Sequence, residues 1–183
     1  LAGSLLNARE TGAALRLLES QQDWAQAEAE PALLCDYLNH LGMALDYANR
    51  LTDAAQVHER QCELARRHGL HEATATALAS LGATLAKRGR LRAAAQALQS
   101  GLQLARSQQS LAGQVLHSQA TLGWRLRDLG DYRDALALME DARDGLVAAG
   151  PGTAAAFNVV HRLALAYAHL GQHARARHTL QSH

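Results

Sequence analysis

Leu129-Gly130-Asp131-Tyr132-Arg133-Asp134-Ala135-Leu136-Ala137-Leu138 holds a Gly followed five residues later by an Ala, and the same skeleton recurs along the chain. Asn49 with Ala54, Gly89 with Ala94 and Gly171 with Ala176 repeat it, at intervals of 40, 41 and 41 residues. Seven residues ahead of each Gly or Asn lies the second member of a pair: Leu41-Gly42, Leu81-Gly82, Leu122-Gly123 or Leu163-Ala164. Two residues beyond the Gly or Asn comes Leu51, Leu91, Tyr132 or His173, and four beyond the Ala comes His58, Leu98, Met139 or Leu180.

Apolar positions fall three and four apart on both sides of the Gly, which is helical spacing. Gly, and Asn at position 49, suits the left-handed conformation that ends a helix. Each block therefore reads as helix, tight turn, helix. The small residues of both helices let the two axes approach, and larger side chains there would cost about 1–3 kcal/mol each by overpacking. One hairpin cannot bury its apolar face alone, so stacked neighbours must do it. The expected fold is all-α, a right-handed superhelix (α-solenoid) of antiparallel helix pairs.

The expected helices are 31–48 with 51–68, 71–88 with 91–107, 110–129 with 131–149, and 152–170 with 172–183. They define one repeat domain over residues 1–183, with repeats 31–70, 71–109, 110–150 and 151–183 after a half-repeat 1–30. In that half-repeat the helix Leu5 to Glu19 places Ala14 and Leu18 one period ahead of Ala54 and His58. With no polar capping helix at either end and a first residue other than Met, the array is expected to be part of a longer protein.

Composition agrees with close-packed helices. Hydrophobic residues make up 48% of the 183, yet there are one Phe and two Trp, so Ala and Leu dominate. Both head the helix scale. The two prolines, Pro31 and Pro151, stand where helices are expected to start. A formal charge of +1 leaves no electrostatic footprint for nucleic acid. No apolar run approaches the roughly 20 residues of a membrane span, and no signal segment opens the chain. Cys35 and Cys62 make no disulfide framework; they read as free thiols in a cytoplasmic protein. They stand at the start of one helix and toward the end of its antiparallel partner, ends that are neighbours in a hairpin, and read as two buried small hydrophobes rather than a redox switch.

Nothing in the sequence positions a nucleophile beside a base, cradles a phosphate or pairs two acids, so no enzyme and no cofactor is expected. The ten histidines include His169, His173, His178 and His183 near the end and His68 and His71 around Gly69, but lack a metal-ligand motif and read as surface residues.

Leu122 to Glu140, LGWRLRDLGDYRDALALME, resembles the tetratricopeptide repeat, and Leu81 to Gln99 is the next best match. The resemblance runs from about residue 31 to 183. Leu38, Leu78, Gln119 and Val160 stand where the family carries a bulky residue, often Trp. The period is 40–41 rather than 34, which makes each helix about one turn longer. Long repeats of this kind resemble those of bacterial regulators, namely ATP-dependent LuxR-type and antibiotic-regulator activators and peptide-sensing quorum regulators.

The resemblance implies a concave groove, lined by the first helix of each repeat, that holds a protein or peptide. Its positions map onto Asn39, Met43, Asp46, Tyr47, Lys87, His117, Trp124, Arg127, Asn158 and His161. The carboxylate clamp of chaperone-binding members is absent from these positions. Trp124 reads either as an interface anchor or as packing between repeats, and Arg127 lies one turn along the same face. The function this implies is a sensor or regulatory interaction domain of a bacterial signalling or transcription-regulating protein. A passive adaptor, or an appendage of an enzyme, are the alternatives. Exposed apolar ends also suit end-to-end self-association.

Overall fold

The computed structural model describes residues 11–21, 23, 29–107, 112–150 and 152–181, and every regular element among them is an α-helix. In chain order these are α1 (Thr11–Ser20), α2 (Pro31–Tyr47), α3 (Leu51–Arg67), α4 (His71–Lys87), α5 (Leu91–Arg106), α6 (Ala112–Leu129), α7 (Tyr132–Ala149), α8 (Ala154–His169) and α9 (His173–Gln181). Residues 5–10 of the expected half-repeat helix, Pro151 and His183 lie outside the described residues.

Pro31 opens α2 at its first turn, where a missing N–H costs nothing. The helix expected from residue 152 instead begins at Ala154, because Thr153 is extended and its hydroxyl accepts from the Ala156 amide at 3.2 Å. Left-handed residues close the helices at Asn49 (φ 60°), Gly89 (75°), Gly130 (89°) and Gly171 (72°). At each turn the next amide reaches back to a carbonyl five residues earlier: Arg50 to Leu45, Arg90 to Leu85, Asp131 to Leu126 and Gln172 to Tyr167, all at 2.9 Å. Gly69 (φ 65°) makes the same turn between α3 and α4, with Leu70 reaching Ala65.

Two compact units divide the chain, residues 1–104 and 105–183. In the first, α1 packs on α2 through Ala14, Leu18, Tyr37, Leu38 and Ala44, and Tyr37 Oη donates to the Leu18 carbonyl at 3.1 Å. A second cluster joins Ala55 of α3 to Leu81, Leu85 and Ala86 of α4 and Ala94 and Ala97 of α5. Each repeat's knob sits on its Gly: the His58 ring on Gly42, and Leu98 on Gly82. Burying a Leu such as Leu38 or Leu98 stabilises by about 1.5–3 kcal/mol.

The second unit repeats the scheme. Met139 of α7 sits on Gly123 of α6, and Leu116 packs on Gly145. Ala135, Met139, Leu163, Ala166, Tyr167 and Ala176 form one cluster, and Ala120, Ala142, Val159 and Val160 another. Tyr167 Oη donates to the Glu140 carboxylate between α8 and α7; burial first, then that carboxylate, pushes the phenol up to about 12. Ala164 takes the glycine position of the last block, and its knob, Leu180, is 53% exposed. Among the described residues no helix is long and apolar enough to cross a membrane.

Candidate functional site

In the second unit, Trp124 and Arg127 lie on α6 at i and i+3, and the Arg127 guanidinium lies over the indole at 3.5 Å from the ring centroid. Arg162, from α8, brings a second guanidinium to 5.2 Å. Trp124 is half-buried, packed on the cluster around Met139 and Leu163. It is therefore at once a packing residue and a platform for cations. Asp128 faces the three arginines: it accepts from Arg127 Nε at 3.1 Å and from an Arg125 terminal nitrogen at 3.3 Å.

One carboxylate against Arg125, Arg127 and Arg162 leaves the cluster with excess positive charge. Burial, then Arg125 and Arg127, push the Arg162 guanidinium below its usual value, with Asp128 opposing. Arg125 Nε is buried and has no hydrogen-bond partner. Partial burial of its ring, then Arg162, likewise lowers His117 on α6. Thus His117, Trp124 and Arg127 share one electrostatic neighbourhood. Asn158 and His161 are exposed on α8, where His161 stacks on Phe157 at 6.3 Å between centroids.

In the first unit, Asp46 of α2 and Lys87 of α4 form an ion pair across neighbouring repeats, and Thr84 Oγ1 donates to Asp46 at 3.3 Å. These two groove-mapped residues thus bind each other. The pair is solvent-accessible at Lys87, so it contributes about 0–1 kcal/mol. Met43 is partly buried against the α1–α2 core and its sulfur takes an N–H from Asn39 at 3.8 Å. Tyr47 projects into solvent at 62% exposure. Asn39 Oδ1 and Gln61 Oε1 are buried without a partner, a penalty of about 1–3 kcal/mol for each such group.

The repeat alignment singled out neither Arg162 nor Gln61. Arg162 is matched in the other blocks by His40, Ser80 and Thr121, so the period carries no sign of a cation there. Gln61 lies three residues past the His58 knob, at a spacing that marks it as inward-facing. Cys35 and Cys62 are free and buried; burial pushes both thiols up, Cys62 to about 11, and Cys35 is near enough to contribute to that rise. No cluster of three or more His, Cys, Asp or Glu suited to a metal ion occurs among the described residues.

The profile of the tetratricopeptide repeat matches residues 74–107 and 115–145. No curated protein matches the sequence. Among solved structures, BtubC (BKLC) from P. vanneervenii is similar over 100% of this chain and 75% of its own, with a TM-score of 0.84 at 19% identity. A putative kinesin light chain of Podosopora anserina with nearly identical TPR-like repeats gives 0.80 at 19% identity, over 100% of this chain and 89% of its own. A Rap protein complexed with competence and sporulation factor gives 0.83 at 14% identity, over 99% of this chain and 50% of its own. The chain has the all-α, tetratricopeptide-like repeat fold, and two of its stretches carry the repeat's sequence pattern.

Proposed function

We propose that this chain is a protein- or peptide-binding module, and that the cluster around Trp124 receives an acidic segment of the partner. The observation that carries this reading is the half-buried excess of guanidinium charge beside an indole. Arginine binds carboxylates in a two-pronged geometry, and Trp and Arg are the residue types that dominate binding energy at interfaces. His117 and the α8 residues Asn158 and His161 flank that centre; within the first unit, Asn39, Met43, Asp46, Tyr47 and Lys87 are proposed as partner-contacting residues.

The parent is proposed to be a bacterial signalling or transcription-regulating protein of the cytoplasm, with this array as its sensor. The resemblance of the long repeats to regulators supports that, as does the shared fold with a Rap protein complexed with competence and sporulation factor. The test is fluorescence polarisation with labelled acidic peptides and their amidated, neutral counterparts. Acidic peptides should bind more tightly, and Arg127→Gln with Arg162→Gln should weaken them at least tenfold while the melting transition stays in place. Equal binding of neutral peptides, or binding untouched by the double substitution, would sink the reading.

A further inference from the structure

The surroundings of Trp124 depart from the repeat in one direction. Arg125 takes the place that Ala44, Thr84 and Ala166 hold in the other blocks, and those three residues are 0–1% exposed. Arg127 stands where the other blocks carry Asp46, Ala86 and Ala168, and Arg162 where they carry His40, Ser80 and Thr121. The same kind of junction is thus packed elsewhere without a single guanidinium. Drawing a guanidinium out of water costs free energy unless it is paired, so packing gives no account of three.

Their pairing is incomplete. Asp128 pairs with an Arg125 terminal nitrogen at 3.3 Å and with Arg127 as well. Arg162 forms no ion pair among the described residues. The cluster therefore holds a formal excess of two positive charges. It also meets solvent: the Arg125 and Arg127 side chains are 20% and 15% exposed, and Arg162 is half-buried. His117 adds no charge at pH 7.5, because burial, then Arg162, hold it below its ordinary value of 6.5.

Charge and shape choose among anions. A carboxylate brings one charge and two oxygens in a plane, which Asp128 already supplies. A phosphate monoester carries about −1.5 to −2 at pH 7 and three strong acceptor oxygens. It matches the excess, and its oxygens diverge enough to meet guanidiniums arriving from both α6 and α8, each able to pair through two N–H groups. We propose that the Trp124 cluster binds a phosphorylated side chain of a partner peptide. The inference rests on the acidic-segment reading above and narrows it, since the acid becomes a phosphate monoester rather than Asp or Glu.

Three probes test it: Nα-acetyl-phosphoserine N-methylamide, Nα-acetyl-glutamate N-methylamide and inorganic phosphate. Each is titrated into the whole chain at pH 7.5 and followed by amide and indole N–H NMR shifts. The phosphoserine probe should perturb Trp124 and its neighbours on α6 and α8, and bind at least tenfold more tightly than the glutamate probe. Arg162→Gln should erase that preference with the melting transition in place. Arg162→Lys, which keeps the charge, should retain more of it. Equal affinity of the two amino-acid probes would overturn the phosphate assignment and leave the acidic-segment reading standing, whereas no shift near Trp124 with either would sink both. A preference that survives Arg162→Gln would also overturn the proposal. Inorganic phosphate binding as tightly as the phosphoserine probe would overturn the peptide source in favour of a free anion.

Discussion

A hydrogen in place of a methyl group decides how closely the paired helices pack at Gly42, Gly82 and Gly123. A Cβ at Gly123 would lie 2.7 Å from Met139 Cγ and 2.8 Å from the Ala135 carbonyl oxygen, and the latter is backbone that cannot swing aside. Gly123→Ala should therefore lose about 1–3 kcal/mol in urea denaturation. Gly12→Ala, where only the flexible Arg16 side chain is near, should lose nothing. Equal behaviour of the two would remove the close-approach argument. His58 fills the knob position that Leu98 and Met139 fill elsewhere, and burial holds its imidazole below the ordinary value of 6.5, with nearby Gln61 and Asp46 pulling back more weakly. The sign follows from linkage: the unfolded chain takes up that proton first, so the stability tied to neutral His58 is complete above about pH 6.5 and declines as pH falls below it. His58→Leu should flatten the difference between denaturation midpoints at pH 7.5 and 5.5, and an unchanged difference would exclude His58 as its source. The knob position itself was legible, because the period places His58 opposite Gly42. Its neutral burial was not, because it depends on what surrounds one side chain rather than on spacing.

The helices were legible almost to the residue, since Pro31 and the left-handed Asn49, Gly89, Gly130 and Gly171 mark their ends chemically. The start of α8 was displaced because a Thr153 cap outranks the preceding proline. Gly130 has open space around an added Cβ, so a side chain there meets only the backbone penalty of φ 89°. Gly130→Ala should thus destabilise by about 1–2 kcal/mol, whereas Asn49→Gly should be neutral or slightly stabilising. Thermal melts followed by circular dichroism check both, and a stabilised alanine variant would mean that the turn can rearrange. The contact of Trp124 with Arg127 was readable from i, i+3 spacing on α6, but the approach of Arg162 was not. It comes from the next repeat, whose rotation about its own helix axis no single-helix pattern reports.

Each unit buries its own apolar clusters, and the second gathers a guanidinium excess around Trp124. Because stacked repeats are stabilised by nearest neighbours, residues 1–104 and 105–183 made separately should each show helical circular dichroism and a cooperative melt. A featureless melt from either would show that its core requires the other. The two tryptophans divide between the units, Trp24 before the boundary and Trp124 after it. The 105–183 segment therefore carries one indole, and a guanidinium already lies against its ring. Any carboxylate that draws Arg127 or Arg162 away from that ring changes the polarity the excited indole senses, so intrinsic emission becomes an optical readout of anion arrival that needs no attached label.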